Sequence, residues 1–309
     1  MIEVLIRVLP FFALIGVGYL AGRTQFLSEQ GTAAITKFVF YFALSAMLFK
    51  FASNLSLAEI YSTPFVLAYL SGCTLIYLLA FGVALIRRVT LAEAAVEAQC
   101  AVCGNTGFLG VPLLIALLGP QAAGPELMVL TIDMIVFSSL ITLMITAARE
   151  GRISLGVAKV LGVSVLKNPM IVSMALGLAW SATGVAVPGP INDFMGLLGG
   201  AATPGALFAI GASLAARSAE RIEVAAWLSF CKLALHPAAV AVAALVLFPV
   251  ERFAAHVMIA AASLPVAGNT YILAQHYGVA PQRVSASILI STAVSVLTVS
   301  AVIAWIAVS

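Results

Sequence analysis

Charge is what this sequence has least of. Only 9% of its 309 residues are Asp, Glu, Lys or Arg, where a water-soluble domain carries roughly a quarter. That shortage excludes a globule solvated on all sides. Histidine is scarce too. His236, His256 and His276 have no His-Glu-x-x-His neighbour, and no Gly-x-Ser-x-Gly occurs, so neither a zinc-hydrolase pair nor a nucleophile elbow is offered. An intramembrane enzyme is disfavoured on that ground, and no cofactor is expected. The four cysteines, Cys73, Cys100, Cys103 and Cys231, all fall inside apolar runs and read as small packing residues. Cys100 and Cys103 have the spacing of a redox or zinc pair but lack the second ligand pair or thioredoxin-like context. Basic residues form no stripe with interleaved aromatics, so nucleic acid is not an expected partner.

What the sequence has is apolar length. It is 63% hydrophobic, its mean hydropathy is +1.15, and its runs repeatedly reach the ~20 residues that cross a hydrocarbon core. Lipid supplies no backbone partners, so such runs must be helices. The class is therefore an all-α polytopic membrane protein in contact with the lipid bilayer. Windows bounded by charge, Gly and Pro give about ten spans. They run Val4–Gly22, Ala33–Ala52, Pro64–Ile86, Ala94–Leu118, Leu127–Ala147, Pro169–Ala186, Ile191–Ala215, Ala225–Phe248, Ala254–Gln275 and Val284–Ala307. The N-terminus shows no basic n-region or cleavage site, so the first run reads as a mature helix.

Positive charge sets the orientation. With both termini outside, the cytoplasmic loops hold Arg23, Arg87, Arg88, Arg149, Arg152, Lys159, Lys167, Arg217, Arg221 and Arg283. The outer ends then hold only Arg7, Lys50 and Arg252. That bias predicts a multi-pass protein of the cytoplasmic (inner) membrane with N-terminus and C-terminus outside.

Five spans precede the basic central segment and five follow it. An odd number per half inverts the second half. The predicted units are a first five-helix repeat at 1–150, a cytoplasmic connection at 151–168 and an inverted five-helix repeat at 169–309. Three matches in the same order support this reading. Pro10 to Gly18 answers Pro169 to Gly177, Ala46-Met47-Leu48-Phe49 answers Gly205-Ala206-Leu207-Phe208, and Gly104-Asn105-Thr106 recurs as Gly268-Asn269-Thr270.

The fourth and ninth spans cannot be continuous helices. Gly104, Gly107, Gly110 and Pro112 interrupt the fourth, and Pro265 and Gly268 interrupt the ninth, because glycine and proline break helical hydrogen bonding. Broken helices in corresponding places of inverted halves point to a substrate site at their crossing. A half-helix that begins near the midplane presents unpaired N–H groups and partial positive charge, which suits an anion. Asn105 and Asn269 each donate and accept, so they can clamp a carboxylate from two sides. The expected substrate-binding residues are Gly104, Asn105, Thr106, Gly107, Pro265, Gly268, Asn269, Thr270 and Tyr271. The plainer reading is that these residues only kink helices for packing.

Other polar residues lie at membrane depth. Asp133 sits in the fifth span, and Lys232 and His236 are one turn apart on one face of the eighth, as i and i+4 positions are. Two readings stand for them: a proton carrier with its partner or second substrate contact, or a buried structural pair. Glu93 and Glu97, at the entrance of the fourth span, are expected to be solvated. His276 and Lys50 are expected to snorkel.

The fourth-span motif Asn105-Thr106-Gly107-Phe108-Leu109-Gly110-Val111-Pro112 resembles the auxin efflux carrier family, which includes plant PIN-type carriers and bacterial malonate and organic-acid permeases. Leu264 to Ala274 and Pro204 to Gly211 fit the same family. The resemblance implies a fold similar to NhaA-type sodium–proton antiporters and bile acid symporters, with crossing broken helices four and nine. It also implies a scaffold of spans one, two, six and seven that forms a homodimer, and a transport core of spans three to five and eight to ten. Plant members carry Asn-Pro-Asn where this chain has Cys103-Gly104-Asn105, and their long hydrophilic loop is missing. Both departures favour a bacterial organic-acid permease over a dedicated auxin exporter. The expected function is elevator-type movement of a small organic anion, a mono- or dicarboxylate such as malonate, malate or an auxin-like acid. Sodium-coupled symport is the alternative, with a channel behind it.

Overall fold

A computed structural model describes residues 2–54, 61–150, 169–215 and 221–307. The predicted connection 151–168 with Arg152, Lys159 and Lys167 lies outside the described residues, as does Arg217, and so do the side chains of Arg7, Arg149 and Glu150. The described residues form helices and a single isolated antiparallel bridge.

The helices are α1 Ile2–Arg23, α2 Glu29–Ala52, α3 Thr63–Ile86, α4 Leu91–Val102, α5 Thr106–Leu118 and α6 Pro120–Ala148. They continue as α7 Pro169–Ser181, α8 Gly189–Ala215, α9 Ile222–Leu247, α10 Arg252–Ala262, α11 Gly268–Tyr277 and α12 Pro281–Ile306. Six of them, α2, α3, α6, α8, α9 and α12, are long and apolar enough to cross a membrane. Two boundaries differ most from expectation. The helix ending at Ser181 stops early because Gly184, at φ +67°, turns the chain. The fifth predicted span begins earlier, at Pro120, because Gly119 at φ +94° ends α5 and proline fits the first turn of the next helix.

Small residues set the closest helix contacts. A Cβ on Gly18 would collide with the Phe208 carbonyl and one on Gly211 with the Ile15 carbonyl, so α1 and α8 touch backbone to backbone. On Gly177 it would lie 2.7 Å from Phe49 O, which brings α7 onto α2 in the same way. Close backbone approach at small residues is how helices gain packing energy in lipid. A larger apolar core joins α3, α4, α6, α9, α10 and α12. A smaller one joins α2, α7 and α8 to Val111 and Leu130.

Five-residue π turns occur at Val39–Ala43, Thr106–Gly110, Asp133–Phe137, Cys231–Leu235 and Ala243–Leu247. Proline accounts for two of them. Pro112 and Pro237 lack the N–H that an α-helix needs, and the widened turns before them close instead through Val111 N to Thr106 O and His236 N to Cys231 O.

Candidate functional site

The two interrupted segments meet. Gly104 and Val266 form the isolated antiparallel bridge. Asn105 N donates to Pro265 O at 2.8 Å, and Ala267 N donates to Cys103 O at 3.0 Å. Backbone freed by each break is thus satisfied by the other, which lets irregular chain persist inside a helical protein. Val266 N donates to Ser291 Oγ at 3.1 Å, tying the bridge to α12.

Four helix ends converge here, and they are treated differently. At the C-terminal end of α10, Lys232 Nζ donates to Ala262 O at 2.5 Å. A lysine at a helix C-terminus satisfies an orphan carbonyl and complements the negative end of the dipole. A Cβ on Gly104 would sit 3.3 Å from Lys232 Nζ, so this glycine makes room for the ammonium beside the crossing. The starts of α5 and α11 have no capping side chain. Asn105 and Asn269 are both partly exposed, whereas Gly104, Thr106, Pro265 and Thr270 are buried. Asn269 Oδ1 and Thr270 Oγ1 have no hydrogen-bond partner.

Lys232 also lies 3.1 Å from His236 Nδ1, and His236 Nε2 lies 3.1 Å from Cys73 Sγ. His236 Nδ1 also lies 3.2 Å from Ala262 O, so lysine and histidine converge on the same carbonyl. Asp133 Oδ1 accepts a hydrogen bond from Tyr69 OH at 2.9 Å. Thr106 stands beside that carboxylate, and Lys232 acts on it through its charge without forming a direct ion pair among the described residues. Each of Thr106, Asp133 and Lys232 belongs to a π turn.

The predicted site residues thus gather in large part. Gly104, Asn105 and Pro265 lie in the bridged segment, and Asp133, Lys232 and His236 stand behind it. Gly107 is packed against Met170 of α7, where a Cβ would lie 2.7 Å from Cε. Tyr271 is partly buried against the larger core. The repeated Gly-Asn-Thr does not match position for position: Asn105 precedes α5, while Asn269 is the second residue of α11.

Glu93 and Glu97 are a correction. Glu97 is 1% exposed, and Arg283 donates to it from Nη1 at 2.8 Å and to Glu93 from Nη2 at 2.7 Å, while Arg87 also pairs with Glu97. Water is replaced by two guanidinium groups brought in from α12 and the end of α3. Glu93 also closes a capping box with Thr90. Burial works against its charge, but the Thr90 backbone and Arg283 outweigh it and hold the carboxyl below its usual range. That contribution to stability is present above the usual range and is lost as pH falls through the lowered value. Glu97→Ala takes the shared carboxylate from Arg87 and Arg283, leaving Arg283 only Glu93, and is expected to lower unfolding stability by about 3 kcal/mol, read as a drop in thermal midpoint in detergent. Tyr69, Cys73, Arg283 and Glu126 were not foreseen as site or network residues. For Tyr69 the available signal is a phenol in an otherwise apolar run.

The family model for "Membrane transport protein" matches residues 3–303. The chain belongs to this family, that of the auxin efflux carriers. It is therefore a multi-pass membrane transport protein. A Rhizobium meliloti (strain 1021) protein named "Putative malonate transporter" is 32% identical over 307 residues, 97% of this chain and 95% of that one. The "Uncharacterized transporter YfdV" of Escherichia coli (strain K12) is 27% identical over 292 residues, 92% of this chain and 91% of that one. The Shigella flexneri protein of the same name matches at the same identity and coverage.

Proposed function

We propose that this family member moves a small carboxylate, malonate or a similar mono- or dicarboxylate, across the cytoplasmic membrane. The observation that carries the reading is the unequal treatment of the four helix ends. Lys232 already satisfies the C-terminal end of α10, whereas the N-terminal ends of α5 and α11 are open beside two partly exposed asparagines. Open N-terminal ends favour an anion, and the asparagine amides add donors on both sides. The name of the Rhizobium relative points to the same substrate class.

In this reading α4 with α5 and α10 with α11 are two broken spans, so the helices make ten spans in two inverted halves. The scaffold is α1, α2, α7 and α8, held by the glycine contacts described above, and pairs with a second copy. The remaining helices carry the anion past it by an elevator movement. Both termini lie outside, following the basic loops. Sodium-coupled symport is the less favoured reading, because the Lys232 ammonium stands at the carbonyl end where a sodium ion would be held.

Uptake of labelled malonate, malate and succinate into proteoliposomes, in sodium and in choline buffer, tests this. Saturable uptake of at least one acid, equal in both buffers, is expected. Uptake that requires sodium would transfer the account to symport, and no uptake of any acid would sink the organic-anion reading.

A further inference from the structure

Glu126 lies in α6, near its Pro120 end, and is 0% exposed. Among the described residues it is the one carboxylate with both oxygens buried and unbonded. Its surroundings are specific. Oε1 lies so close to Gly110 of α5 that a Cβ there would collide with it, and Leu264, in the break between α10 and α11, closes over the same spot. The carboxyl therefore lies against α5 at Gly110, with Leu264 of the second break beside the same spot. Asp133 follows at i+7, on the same face and about 10 Å along the axis, and its Oδ2 is also buried and unbonded.

An ionised carboxylate sealed in this way without a cation or donor is strongly disfavoured. The arrangement is open only to the neutral acid. Among the described residues no ion pair relieves it. The facing helix α5 carries no titratable side chain, α10 carries Arg252 and His256, and α3 carries Tyr69, Cys73 and Tyr77.

We propose that Glu126 binds a proton that travels with the transported anion. This rests on the transport reading above and adds the coupling ion. Water at the outer face gives a proton to the carboxylate while Glu126 is hydrated. The neutral acid then packs against Gly110 and Leu264, and the sealed core can move without carrying an unpaired buried charge. When the site opens on the other side, the carboxylate is rehydrated and the same proton leaves to water there. Asp133, held by Tyr69 at the crossing, stands further along the same helix face.

Proteoliposomes with a pH-sensing dye inside, given labelled malonate outside, test this. Wild-type protein is expected to acidify the lumen as malonate enters, with uptake rising by up to about tenfold per unit of external pH lowered. Glu126→Gln holds the carboxamide in the place of the neutral acid, and its acidification per malonate and its pH slope are expected to vanish. If that variant does not fold, Glu126→Asp is read instead, and it is expected to shift the midpoint of the pH dependence. Wild-type malonate entry without acidification overturns the proton proposal alone. So does either variant with wild-type coupling and pH dependence. Absence of wild-type malonate entry is a different failure, which removes the transport reading and this proposal together.

Discussion

Lys232→Met is expected to abolish uptake and to lower unfolding stability by about 3 kcal/mol. The ammonium is 0% exposed and bonds Ala262 O. Methionine fills similar volume but leaves that carbonyl without its donor and removes the positive charge that acts on Asp133. Removing one partner from such a buried set costs far more than the set contributes as a whole. The site should suffer twice. The C-terminal end of α10 regains its uncompensated negative end at the crossing, which repels an anion held at the neighbouring helix starts. Thermal unfolding in detergent and malonate uptake in proteoliposomes read the two effects separately. A stable Lys232→Met that transports normally would make the lysine a bystander.

The second large effect is expected at Gly211. Valine there places a Cβ in the Ile15 carbonyl, and backbone atoms cannot swing aside as a side-chain tip can. Overpacking of this kind costs about 3 kcal/mol or more, so Gly211→Val is expected to separate α1 from α8 and give protein that aggregates on size exclusion. Gly16 provides the control on the same helix, outside that contact. A Cβ on it meets nothing within 4 Å, so Gly16→Ala is expected to be neutral or to stabilise by roughly 0.5 kcal/mol. Equal behaviour of the two variants would mean that the α1–α8 contact is not close-packed.

Much of the architecture was legible because membrane constraints are severe. Apolar length has one structural solution in lipid, and dense Gly and Pro inside such length has few. That made the breaks at Cys103–Asn105 and Ser263–Ala267 readable, along with the candidate asparagines. Other parts depend on partners distant in sequence. Glu97 looked like a solvated entrance residue because nothing near it reveals that Arg283, 186 residues later, folds onto it. Glu126 fell outside the predicted fifth span, since a window bounded by charge starts after a glutamate. The contact between Lys232 and Ala262 is likewise invisible until α9 and α10 are packed. The repeated Gly-Asn-Thr located both breaks yet misjudged their register. Relative to the motif the second break ends earlier, with the helix starting at Gly268 and not at the threonine as it does at Thr106, so Asn269 falls inside a helix and Asn105 before one.

The central claim is that an organic anion is held where α5 and α11 begin. Malonate-evoked currents on a solid-supported membrane test it most directly, recorded for wild type and for Asn105→Ala combined with Asn269→Ala. The account predicts a saturable current in the wild type, reduced by at least about a hundredfold in apparent affinity in the double variant, as loss of two buried hydrogen-bond contacts implies. A double variant that folds normally and keeps wild-type affinity would contradict the account and move the anion away from the crossing.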